Sequence, residues 1–118
     1  MEHYQLPMKV SKQHRLVVRE TGQVAFDKET LLVTHASATP SEISFSIMTQ
    51  PLFGQIVDES GNQLRNFTQA DVIHQAVFYK NVKPSMVDVF ELNVTNFFTS
   101  IPNLKMSVEV IPKELPLR

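Results

Sequence analysis

The 118-residue sequence has no cysteine, no tryptophan and only three glycines. Without cysteine there is no thiol nucleophile, no thiolate zinc site and no disulfide framework. That absence leaves the compartment open, because a domain with a substantial core needs no bridges even in an oxidising space. Glycines at positions 22, 54 and 61 alone cannot build a Gly-rich phosphate loop, and no G-x-S-x-G nucleophile elbow occurs. Long apolar runs are missing too. Leu16-Val17-Val18, Leu31-Leu32-Val33 and Ala76-Val77-Phe78-Tyr79 fall far short of the roughly 20 residues of a membrane-spanning helix. Neither sign of charge is in excess. Eleven basic residues against twelve acidic ones give a net charge of −1, so nucleic acid and anionic membranes, which select a basic face, are poor partners. The opening Met1-Glu2-His3-Tyr4-Gln5 lacks the basic start and apolar stretch of a secretory signal. The chain is then either cytosolic or a piece of a longer protein.

What is present describes a folded domain. Hydrophobic residues make up 42% of the chain and charged ones 19%, which excludes wholesale disorder. The length fits one domain that buries about two-thirds of its unfolded surface.

Residues 1–13 have no clear period and contain Pro7, so they read as a lead-in. A strand is expected at His14–Arg19, ending at Glu20-Thr21-Gly22, where Gly22 would supply a positive φ. Thr30–Thr34 is rich in β-formers, and Ala36–Ser41 reads as a loop. The cleanest alternation is Glu42-Ile43-Ser44-Phe45-Ser46-Ile47, which puts Ile43, Phe45 and Ile47 on a core face and the serines towards water. A short strand follows at Phe53–Val57, then a polar turn from Asp58 to Asn62 carrying Gly61. Thr68 and Asp71, three apart, form a capping pair for one or two helical turns, although Glu or Gln is commoner at the second position. Ala76–Lys80, Val87–Thr95 and Lys105–Val110 return to β. In Val87–Thr95, Phe90, Leu92 and Val94 share one face, opposite Val89, Glu91, Asn93 and Thr95. Pro112 and Pro116 close a linker or tail at 113–118. About seven short strands, a turn signal every ten residues or so and no long helix predict an all-β antiparallel sandwich over 14–112.

Few residues group as a reactive site would. His3, His14, His35 and His74 lack metal-ligand spacing. His74 and Asp71 would meet on one helical turn, and a surface pair is the plainer reading. No Asp-x-Asp exists among Asp27, Asp58, Asp71 and Asp88 to gather calcium ligands. Asp58-Glu59 reads as a solvated turn. The expectation is therefore no enzyme, no cofactor and no supported calcium site. Two of the six asparagines head glycosylation acceptors, Asn66-Phe67-Thr68 and Asn93-Val94-Thr95. Both are consistent with secretion.

Three segments together resemble one family. Gln50-Pro51-Leu52-Phe53-Gly54-Gln55-Ile56, Asn66-Phe67-Thr68-Gln69-Ala70-Asp71-Val72 and Ala76-Val77-Phe78-Tyr79 are similar to the hallmarks of the CSPG repeat. This repeat builds the ectodomains of chondroitin sulfate proteoglycans and of the Fras–Frem matrix proteins. Leu16–Glu20 resembles its opening strand. Ser37-Ala38-Thr39 resembles its small-residue segment, and Asp88–Val94 its late strand. In this reading Gly54 lets the chain bend after Pro51, Thr68 and Asp71 tie down free amides, and Phe67, Val72, Val77 and Tyr79 plug the core. The sequence departs from the family where an acidic run would follow the small residues, at Pro40-Ser41-Glu42, and where an Asp-Gly turn would end the late strand, at Thr95-Asn96-Phe97-Phe98. Both changes remove calcium ligands. Phe97 and Phe98 are either core rings or an exposed contact patch.

The resemblance implies a cadherin- or immunoglobulin-like sandwich, one repeat of a tandem array in a matrix or cell-surface protein. It would bind other extracellular proteins and pack beside neighbouring repeats. The alternative is a non-extracellular or adhesin-type sandwich used in protein–protein assembly.

Overall fold

The computed structural model describes residues 6 to 113. The first five residues of the expected lead-in, and the tail beyond Lys113, lie outside the described residues. Ten strands, one short helix and one 3₁₀ turn are found among the described residues. The count exceeds the expected seven because three-residue strands give almost no period to read. β1 (Lys9–Gln13) forms inside the segment read as lead-in and pairs antiparallel with β4 (Leu31–Thr34). Its own burial pattern is mostly solvent-facing, so hydrophobic alternation could not reveal it.

A five-stranded sheet runs in the order β2-β10-β9-β5-β7. Its members are β2 (Leu16–Arg19), β10 (Ser100–Ile111), β9 (Val87–Thr95), β5 (Ser44–Thr49) and β7 (Asn66–Thr68). All its pairings are antiparallel except β2 with β10, which is parallel. The expected sandwich is thus antiparallel with one parallel edge. The facing layer consists of the β1–β4 ribbon and a three-stranded sheet, β3 (Gln23–Ala25), β8 (Phe78–Asn81) and β6 (Gly54–Val57).

One core joins the layers. On β9 the alternation is realised as Phe90, Leu92 and Val94, all fully buried, with Met106 and Val108 of β10 beside them. Ile43 and Phe45 are buried as expected, and Ile47 partly so. Ser44 and Ser46 are half-buried, since β5 is flanked by β9 and β7. Four aromatic rings cross the interface between layers. Phe67 stacks on Phe45 with centroids 5.2 Å apart and meets Phe26 edge-on at 5.6 Å, and Phe26 lies 6.0 Å from Phe90. Phe67, Val72, Val77 and Tyr79 are all buried.

Two glycines differ from expectation. At the turn after β2, the positive φ belongs to Thr21 (67°), not to Gly22. Gly22 donates its N–H to the Arg19 carbonyl at 2.8 Å, while the Thr21 N–H is held by the Asn81 side chain at 2.9 Å. Positive φ is costly for a β-branched residue, and the buried Asn81 amide fixes it. Gly54 opens β6 on the same sheet face as Tyr79, one diagonal step away in the ladder. A side-chain carbon there would sit 2.6 Å from Tyr79 Cε2 and closer still to Cζ and the hydroxyl. Gly54 is therefore required by a close approach rather than by a bend. Gly61, by contrast, has φ 86° and serves the polar turn as expected.

Candidate functional site

The most concentrated polar chemistry lies under the Gln50–Gly54 loop. Alternation along β9 places Asp88 on the same inward face as Phe90, and its residue is only 3% exposed. The carboxylate accepts four hydrogen bonds. Oδ1 takes the N–H of Leu52 and of Val89, each at 3.0 Å, and Oδ2 takes the N–H of Phe53 at 3.0 Å and the hydroxyl of Tyr79 at 2.6 Å. Beside it, buried Asn81 donates to the carbonyls of Phe53 and Lys83 while accepting from Thr21. A buried charge is tolerable when its lone pairs are met by donors, and here they are. The Tyr79 phenol is held well above its ordinary value of 10.0, first by burial and then by its bond to Asp88. It stays protonated and donating at neutral pH. This acid–phenol pair is a latch joining the Gln50–Gly54 loop to β8 and β9.

A second latch sits at the start of the helix, α1 (Gln69–Ile73). The Thr68 hydroxyl accepts from the Asp71 N–H at 3.1 Å, and the Asp71 carboxylate accepts from the Thr68 N–H at 2.9 Å. The capping pair is thus reciprocal, with Asp in the place of the commoner Glu. Gln69, 1% exposed, spans to β4 by accepting from the Val33 N–H (2.8 Å) and donating to the Leu31 carbonyl (3.0 Å). Buried His35 is fixed in one tautomer by its partners. The Ser37 N–H can only donate to Nδ1, so Nε2 carries the proton and donates to the Leu6 carbonyl at 2.7 Å. Sequence reasoning found the capping pair and the Tyr79 plug. It missed Asp88, Asn81, Gln69 and His35 as structural polar groups. The available signal was a charged residue at an inward position of an otherwise apolar strand face.

The sequon asparagines come together. Asn66 and Asn93 both stand opposite Ser46, one on each side of β5, and their threonines Thr68 and Thr95 both stand opposite Ser44. Paired residues share a face, so both acceptors lie on one face of the five-stranded sheet, about 10 Å apart at two strand spacings. Asn66 is exposed on an edge strand, and Asn93 is half-buried in a central one.

Phe97 and Phe98 are exposed, by 74% and 54%, so neither ring belongs to the core. They project from the β9–β10 hairpin because the Asn96 side chain caps it, accepting from the N–H of Phe98 and of Thr99, each at 2.8 Å. Their rings meet edge-on at 6.2 Å. His74 ends α1 in an exposed position, and Asp58 accepts from Ser60 and Asn62 within its own turn. His35 lies apart from both, on the loop after β4. Among the described residues, no group of three or more His, Asp or Glu could hold a metal ion. No helix among them is long and apolar enough to cross a membrane. Open grooves occur among the described residues. One of about 570 Å³ is lined by Ile47, Met48, Gln50, Gln63 and Arg65. Another, of about 320 Å³, is lined by Glu20, Pro84, Ser85, Met86 and Pro112.

No protein of curated function matches the chain. The crystal structure of CopC from Methylosinus trichosporium OB3b is similar at a TM-score of 0.39 and 17% identity, over 92% of this chain and 95% of that one. So distant a likeness bears on neither site nor function. The family model described as cadherin-like matches residues 7–110, spanning both layers and both latches. On that match, the chain belongs to the cadherin-like family.

Proposed function

We propose that this domain is an extracellular interaction module, one repeat of a tandem array in a matrix or cell-surface protein of the CSPG-repeat kind. It acts by presenting surfaces to other proteins rather than by catalysis, and it uses no cofactor. The observation that carries this reading is the mutual dependence of the three hallmark segments. Gly54 of the first leaves room for Tyr79 of the third, whose hydroxyl meets Asp88 at the start of the late strand. The second supplies the Thr68–Asp71 cap and the Gln69 bridge. The residues behind the resemblance thus hold one scaffold together, and the polar groups most suited to chemistry are consumed in doing so. Function is left to the surface. The shared sheet face of Asn66 and Asn93 supports a glycosylated, secreted domain.

The test is secretion of the domain from animal cells with intact-mass analysis before and after glycosidase treatment. A glycan at Asn66 or Asn93 is the expected result, and no mass shift would count against the extracellular reading. Thermal melting in millimolar calcium and in chelator should give the same midpoint. A rise of many degrees with calcium would reveal a site that this reading omits.

A further inference from the structure

The two ends of the sandwich carry unlike surfaces that fit each other. β9 and β10 run antiparallel, so the Phe97–Phe98 hairpin lies at the far end of the ladder from Met86 and Val87. Nine residues of β9 put roughly 27 Å between them at about 3.4 Å per residue. At the Met86 end, Leu52 (73%), Met86 (72%), Val87 (57%) and Val82 (45%) are exposed together. Hydrogen bonds bring them to one place. Leu52 N–H reaches Asp88, Val82 N–H reaches the Phe53 carbonyl, and Met86 accepts from Val110 N–H. The 320 Å³ groove between Met86, Pro84 and Pro112 opens there. This end is also basic. Arg15, Arg19, Lys83 and Lys113 are exposed around it; of its surface carboxylates, Glu20 accepts the Lys113 N–H, and Glu109, opposite Val87, is paired with Arg15. At the Phe97 end the acids are Glu42 and Asp71, on the 3₁₀ turn (Pro40–Glu42) and on α1, which pack together there, with Lys9 as the countercharge.

We infer that a second copy of this chain docks head to tail, its Phe97–Phe98 hairpin entering the apolar groove at Met86 of the first. Ring and groove are complementary in polarity, and the surrounding charges are complementary in sign, which favours this orientation over like ends meeting. Both ends are held by hydrogen-bonded turns, the hairpin by Asn96 and the groove by Asn81 and Asp88, so little ordering is lost on contact. A head-to-tail contact does not use up both ends and can propagate into open chains. A hairpin tip against one end of a small domain makes a contact at the weak, transient end of specific interfaces. Affinity in the micromolar-to-millimolar range is expected. The inference uses the two ends alone and does not depend on the matrix assignment.

Sedimentation velocity of the 118-residue chain, made without glycan, tests it between micromolar and about millimolar concentration. The wild type should sediment faster as concentration rises. Phe97→Ser and Met86→Lys, both at exposed positions, should each weaken association by at least about tenfold, with thermal midpoints unchanged as proof of folding. The decisive sample is an equal mixture of the two variants. Each retains one good end, so the mixture should form a dimer and go no further. A wild type that stays monomeric throughout overturns the inference. So does a loss of association in one variant only, since that marks contact between like ends, and so does a mixture that fails to dimerise.

Discussion

Replacing Gly54 by alanine separates two explanations for this glycine. If it were needed for backbone freedom, alanine would cost strain regardless of its neighbours. If it is needed for the close approach of Tyr79, the cost should vanish when the ring is removed. No positive φ marks Gly54, and a methyl there would lie 2.6 Å from Tyr79 Cε2. The ring must then move, because the opposing atoms are held by the 2.6 Å bond from the hydroxyl to Asp88. Overpacking of this kind costs about 1–3 kcal/mol. Displacing the hydroxyl from a buried carboxylate adds about 1–3 kcal/mol. The sum is roughly 4 kcal/mol, a large part of the 5–15 kcal/mol typical of a domain. At about 4 °C per kcal/mol for a chain of this size, the melting midpoint should fall by some 15 °C. Tyr79→Leu removes the atoms beyond the ring's near edge. In that background Gly54→Ala should cost under about 1 kcal/mol, leaving a coupling of roughly 3 kcal/mol in a double-mutant cycle by urea denaturation. An equal cost in both backgrounds would refute the close-approach argument.

The neighbouring groups give three further expectations. Asp88→Asn puts an NH₂ where one carboxylate oxygen now accepts two donors; Tyr79 can turn to accept, but a backbone N–H cannot, so urea denaturation should show a loss of roughly 3 kcal/mol or more. Because the Tyr79 phenol is raised above its ordinary 10.0, the stability it contributes is whole below pH 10 and is lost as the pH climbs past it; melting midpoints should fall above about pH 10, and less steeply in Tyr79→Phe. Thr68→Ala removes the acceptor for the Asp71 N–H and should cost about 1 kcal/mol, seen as a midpoint lower by about 4 °C.

Strands with two-sided contrast were legible in the sequence. Val87–Thr95 was found with its exact limits, and Ile43, Phe45, Phe90, Leu92 and Val94 went to the core, because alternation is what burial on one face writes into a strand. The helix start was equally legible, since a cap is a local matter of two residues three apart. What escaped was set by neighbours distant in sequence. β1 is held by β4, 18 to 25 residues away, and has no buried residue of its own by which to be seen. The positive φ at Thr21 depends on Asn81, sixty residues on. A propensity argument assigns it to the adjacent Gly22, which would take it most cheaply on its own.

The candidate site shows the same divide more sharply. Sequons are local strings and were read directly, but their convergence on one sheet face came from β5 lying between β7 and β9. Asp88 was recognised only as the residue leading into the late strand. By the alternation that buried Phe90, Leu92 and Val94, Asp88 also had to point inward, and an inward carboxylate requires donors. The nearest unclaimed donors were the amides of a loop that cannot pair as a strand, after Pro51 and before Gly54. Parity along β9 therefore implies that Asp88 must find donors, while only the fold shows that a loop, β8 and its own strand supply them. A buried acid on a β-strand is thus better read first as the anchor of a loop, and as a reactive group only when its lone pairs are left unmet. In this domain all four of its partners are in place, and the large apolar side chains left most uncovered are those at the two ends, Phe97 at one and Leu52 and Met86 at the other.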